Sequence, residues 1–131
     1  AYVGKEGFTL ENVYVGAVKN GNKLTLVIAF NITRTGDDIT GNLTIGKFTI
    51  PSSVGSKLYD VAVGGFNYLD NKILQLWSNG WTKTDIACSM RKENNTLLGV
   101  VLDSAVNGVT KNTQYYVRYE ATFLLSDGLV S

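Results

Sequence analysis

A chain of 131 residues is the size of one domain and is long enough to bury a core without disulfides or metals. Hydrophobic residues make up 44% and charged residues 18%, below the roughly 25% charged of an average protein, so Asn, Thr, Ser and Gly must carry much of the surface. A net charge of +1 with no cluster of Lys or Arg excludes an electrostatic footprint for nucleic acid, and the absence of histidine excludes Ser-His-Asp catalysis and zinc sites built on imidazole.

The chain begins at Ala1 without methionine and enters a strand-like pattern almost at once, as expected of a domain cut from a longer polypeptide. Val13 to Val18 predicts a strand, and Asn20-Gly21 is expected to supply the positive-φ pair of a tight hairpin into the next one. From Lys23 to Thr33, Leu24, Leu26, Ile28, Phe30 and Ile32 alternate with smaller or more polar residues, which predicts a strand with one face in the core. "TRTGDDITGN" has turn chemistry. "LTIGKFTIP" then resumes alternation with a change of parity between Ile45 and Phe48, which predicts a bulge at Gly46 and an end at Pro51. "PSSVGSK" reads as a longer crossing. Further strands are expected at Leu58 to Val63, Lys72 to Trp77, Thr82 to Met90, Leu97 to Leu102 and Gln114 to Leu125, with "GGFNYLDN", "SNG", "RKENN" and "DSAVNGVTKN" as turns.

No segment holds a 3.6-residue apolar repeat long enough for a substantial helix, and β-branched and aromatic residues fill the periodic stretches. The expected fold is all-β: one antiparallel β-sandwich domain, jelly-roll-like, with about eight strands. Cys88, the one cysteine, sits in an alternating stretch and is expected to be a small buried hydrophobe. No window approaches about 18 apolar residues, so membrane insertion is not expected.

Glycoside hydrolysis needs only two carboxylates facing each other across a cleft. Asp37, Asp38, Asp60, Asp70, Asp85, Glu93, Asp103 and Glu120 are the acids to consider, most of them in predicted turns where Asp accepts backbone hydrogen bonds. Asp37-Asp38 lacks the spaced oxygen ligands of a calcium loop, and no Gly-rich loop precedes a helix that could bind phosphate. No cofactor and no metal are expected. Asn31, Asn42 and Asn94 begin glycosylation sequons, about as many as chance supplies in so Asn- and Thr-rich a chain.

Both tryptophans lie in "QLWSNGW". If Ile73 to Trp77 is a strand, Leu74 and Leu76 fit the core, which turns Ile73, Gln75 and Trp77 outward and puts Trp81 just past the Asn79-Gly80 turn. Flat aromatic surface beside amides and carboxylates suits sugars, whose C–H faces stack on rings while their hydroxyls take hydrogen bonds. The same rings would equally serve to cap the core or line a subunit interface.

The order "NKLTLVIAFNI", "LTIGKFTIP", "KLYDVAVGGF", "KILQLWSNGW" and "YYVRYEATFLL" resembles the C-terminal modules of bacteriophage tail fibres and baseplate receptor-binding proteins, in which an Ile-Gly-x-Leu/Phe segment ending near Pro precedes a sugar-facing half. Ile45-Gly46-Lys47-Phe48 through Pro51 occupies that place. The resemblance implies a jelly-roll-like sandwich, assembly as a homotrimer, location in an extracellular virion tail or fibre, and adhesion to a bacterial cell-surface saccharide. Trimerisation would also bury apolar residues on both strand faces, such as Val27 and Ala29 opposite Leu26 and Ile28. The expected function is therefore host attachment without enzymatic activity, with Trp77, Trp81, Asn79, Tyr68 and Asp70 as the stacking and hydrogen-bonding set. The alternative is a structural virion or tail subunit whose aromatics serve only subunit contacts; a carbohydrate-active enzyme stands behind both.

Overall fold

The computed structural model describes residues 2–4, 7–36, 44–78, 83–102 and 109–126. Among the described residues, nine antiparallel strands and one helical turn follow in chain order: β1 Tyr2–Gly4, β2 Phe8–Asn20, β3 Lys23–Arg34, β4 Thr44–Thr49, α1 Ser52–Gly55, β5 Val61–Val63, β6 Phe66–Ser78, β7 Lys83–Asn94, β8 Leu97–Leu102 and β9 Gln114–Leu124. The all-β architecture expected from the sequence is present. Eight strands hydrogen-bond in the order β1-β4-β8-β7-β6-β9-β3-β2, and β5 pairs with β6 off that path. The two ends of the path, β1 and β2, are consecutive in sequence and touch each other, so the sheet nearly closes into a barrel; Thr35 and Gly36 prolong the β2–β3 pairing by donating to the carbonyl of Gly7.

Its two halves face each other across one core. From β3 come Leu24, Leu26, Ile28, Phe30 and Ile32, all at most 2% exposed, as period two demands of a strand with one buried face. Phe30 stacks on Phe48 of β4 with ring centroids 5.7 Å apart. β9 contributes Tyr115, Val117, Tyr119 and Ala121, and the meander β6–β7–β8 contributes Leu76, Ile86, Met90 and Leu98. Burying each such large side chain stabilises the fold by about 1.5–3 kcal/mol. Cys88 is fully buried among them, as expected.

Several local readings are refined. The hairpin between β2 and β3 pairs Asn20 with Lys23, so Gly21 and Asn22, not the expected Asn20-Gly21, are its loop. Of these Gly21 alone has positive φ, at 62°, the pattern of a type II′ turn. The register between β4 and β8 slips between Thr44 and Gly46, which lets Ile45 and Phe48 both face the core, as a bulge requires. Pro51 ends β4 and caps α1, a single helical turn within the expected crossing "PSSVGSK". Gly55, lacking a side chain, lets α1 pack against the backbone of Asn95. Further expectations are corrected. "RKENN" is a turn only at Asn95, since β7 runs through Asn94. "GGFNYLDN" is a turn only at Gly64-Gly65, and β6 starts at Phe66; Leu58 makes an isolated bridge to Leu125 while the strand after it is confined to Val61–Val63.

The join between the halves positions the site. Among the described residues β6 pairs with β9 at Trp77–Tyr116 and Ser78–Tyr115 alone. Further back along β6 the two strands diverge, and side chains from both bridge the gap.

Candidate functional site

The site grows from how β6 begins. Gly64 and Gly65 have φ of 59° and 84° and form the two-residue loop between Val63 and Phe66, the pattern of a type I′ turn. The pairing of β6 with β7 then shifts between Tyr68 and Asp70. A bulge bends a strand and re-aims its side chains. Here Tyr68 falls opposite both Val61 on β5 and Arg91 on β7, while Asn71 two residues past the slip falls opposite Ser89.

Between these strands lies an open groove of about 530 Å³, inside the roughly 300–1,000 Å³ of small-molecule sites. Val61, Val63 and Leu69 supply apolar surface. Tyr68, Asp70, Asn71 and Ser89 supply a phenol, a carboxylate, an amide and a hydroxyl. Ser89 is 5% exposed.

The groove is held from two sides. Behind the β5–β6 hairpin Arg91, 4% exposed, places its guanidinium 4.2 Å from the centroid of the Phe66 ring, a cation–π contact that fastens the hairpin to β7. The same guanidinium donates to the hydroxyl of Thr44 and lies 3.6 Å from Glu93. On the other side, where β6 and β9 diverge, the buried Tyr119 hydroxyl donates to Asp70 Oδ2 at 2.7 Å. Lys72 Nζ stands 3.4 Å from that oxygen and 4.9 Å from the Tyr119 ring centroid, and donates to the carbonyl of Glu120. Asp70 is thus oriented by a phenol and an ammonium, at a position on β6 rather than in the turn expected for it.

Trp77 sits at the far end of the same strand. Seven residues separate it from Asp70, about 23 Å of extended chain, so Tyr68 and Asp70 share a site that the Trp77 ring does not line. The outward placement read from parity holds: Ile73 and Gln75 are exposed and Trp77 is half-buried, while Leu76 is fully buried. The indole lies beneath the ammonium of Lys83, 4.5 Å from the ring centroid, and stands in register with the exposed Tyr116 of β9. Beside Tyr116, Arg118 is raised above the ordinary arginine value by its hydrogen bond to Glu120 first and by one to Tyr116 second. Asn79 and Trp81 lie outside the described residues.

Sequence reasoning missed Asn71, Ser89, Val61 and Val63. Asn71 was readable, since it shares the parity of Ile73, Gln75 and Trp77. Ser89 was not, because its place follows from the β6–β7 register. Tyr116, excluded from the alternating core face of β9, stands beside Trp77 for a reason that only the β6–β9 pairing supplies.

Comparison of the chain with protein-family models, with curated proteins and with solved structures found no match. Function must therefore be argued from the site. Among the described residues no three His, Cys, Asp or Glu side chains gather as a metal site would require. The described lining of the groove holds a single carboxylate, Asp70. What this set can do is present hydrogen-bonding groups of both senses over an apolar floor.

Proposed function

We propose that this domain is a saccharide-binding adhesion module, of the kind carried by phage tail fibres and baseplate receptor-binding proteins, and that it binds without cleaving. The observation that carries the reading is the groove beside β6, where a carboxylate, an amide, a phenol and a buried hydroxyl converge over Val61, Val63 and Leu69. Sugars present vicinal hydroxyls that both donate and accept, together with apolar C–H faces, and this lining answers both. Asp70 is already oriented by Tyr119, so it meets a ligand with little ordering cost. Glycoside hydrolysis takes a pair of carboxyl groups, and the reading assigns Asp70 to hydrogen bonding.

The test is a bacterial polysaccharide and glycan array probed with the parent and with Asn71→Ala, whose side chain is exposed and can be removed without touching the core. Binding by the parent that falls at least about tenfold in Asn71→Ala supports the reading. No binding by the parent, or binding unchanged in Asn71→Ala, removes it.

One observation favours the structural alternative. Tyr59, Val61 and Val63 are 66%, 52% and 58% exposed, an apolar margin along the edge of β5 that subunit contact would cover. The homotrimer belongs to this proposal as well. Sedimentation of the domain as a monomer at micromolar concentration would remove it.

A further inference from the structure

The groove does not end at Asn71. A second depression of about 240 Å³ lies against Asn71, Lys72, Ile73, Ala87 and Cys88, so the two hollows share one residue and follow the same pair of strands. Beyond it the register continues unbroken: Ile73 opposite Ala87, Gln75 opposite Asp85, Trp77 opposite Lys83. Every odd-numbered residue of β6 from Asn71 to Gln75 is exposed, and Trp77 is half-buried. On β7 the partners Ala87, Asp85 and Lys83 are exposed too. From Asn71 to Trp77 this outer face of the β6–β7 ladder runs six residues, or about 20 Å.

We infer that the β6–β7 face is an extended track for a neutral oligosaccharide, with one end of the glycan in the Tyr68–Asp70 groove and the other stacked on the Trp77 indole. This rests on the reading of the groove as a saccharide site and gives that site its ligand class. Chemistry alternates along the track as a sugar chain requires. Asn71 and Gln75 offer amides, Ile73 and Ala87 offer an apolar floor between them, and Trp77 offers a ring face. The charges along the track are Asp70 and Lys72, which pair with each other on β6, and Lys83 and Asp85 on β7, two of each sign. That balance suits an uncharged ligand rather than a polyanion. Trp77 is ready for stacking because Lys83 is its cover: an exposed cation–π contact is weak and a sugar face can displace the ammonium.

The experiment is calorimetric titration of the intact domain with neutral oligosaccharides of graded length: N-acetylglucosamine and its β-1,4-linked oligomers up to the hexamer, and bacterial O-polysaccharide fragments of one to four repeats. Three variants run beside the parent. Asn71→Ala lies in the groove, Ile73→Arg obstructs the middle of the track from a side chain that is 73% exposed, and Trp77→Ala removes the far platform. The inference expects affinity to rise with chain length by about tenfold or more, and that gain to vanish in Ile73→Arg and Trp77→Ala while the shortest ligand binds them as it binds the parent. It also expects affinity to change less than about twofold between low and high salt. If short and long glycans bind equally and only Asn71→Ala weakens them, the track is refuted and the groove stands. If no probe of any length binds, the groove reading falls and the track with it. A steep loss of affinity with salt refutes the neutral ligand.

Discussion

Replacing Tyr119 by Phe removes one oxygen atom from the seam where β6 and β9 diverge, and its cost can be worked from the structure. The Tyr119 ring is fully buried and its hydroxyl donates to Asp70 Oδ2 at 2.7 Å. A hydrogen bond to a charged group contributes about 1.5–3 kcal/mol. The low end applies, because the Asp70 side chain is 29% exposed and Lys72 stands 3.4 Å from the same oxygen, so water and the ammonium take up part of what the phenol gave. The expected loss is about 1.5 kcal/mol, which for a domain of this size lowers Tm by about 5 °C. Urea titration followed by far-UV circular dichroism should show a lower midpoint with an unchanged slope. The cycle with Asp70→Ala should return a coupling energy of about 1 kcal/mol. A Tyr119→Phe variant within about 0.3 kcal/mol of the parent, or a coupling near zero, refutes the claim that this bond ties the two halves together where their backbone ladder stops.

Leu76→Ala, in the fully buried row, should cost about 2–5 kcal/mol, whereas Ile73→Ser on the opposite face of the same strand should stay within about 0.5 kcal/mol of the parent; equal costs in denaturant titration would contradict the assigned parity. Gly55→Ala should cost about 2 kcal/mol or more, since a Cβ there meets the backbone of Asn95 rather than a side chain that could swing away, and a near-neutral result by thermal melting would mean that α1 sits further from the β7–β8 turn. Cys88 should resist a thiol reagent in the native state and react as the domain unfolds in urea; rapid native labelling would contradict its burial.

The strands were legible where one face alone is buried. Leu24 to Ile32 alternates without interruption, and the β7 to β8 meander follows short polar connections such as Asn94–Thr96, where Asn94 accepts hydrogen bonds from both the amide and the hydroxyl of Thr96. Gly46 was readable as a bulge because parity reversed around it. The start of β6 was not, for a physical reason: "GGFNYLDN" has turn composition, yet only Gly64 and Gly65 need positive φ, and Arg91 beneath the Phe66 ring holds the rest as strand. The α1 turn was hidden as well, since four residues carry no periodicity.

Of the candidate site, the outward face of Trp77 followed from parity, and Tyr68 with Asp70 do share a groove. That Trp77 stands at the other end of β6 was implicit in strand length. Ser89, Val61 and Tyr116 come to their places through pairings between segments far apart in sequence, which local patterning does not encode.

The central claim is that the surface beside β6 binds saccharide. Amide chemical-shift mapping of the isotopically labelled domain, titrated with the glycan that scores highest on the array, tests it most directly. The account expects shifts concentrated at Tyr68, Asn71 and Ser89 and extending through Ile73 and Gln75 toward Trp77. Shifts confined to the β2–β3–β9 face, or no shifts at any glycan concentration, would contradict it.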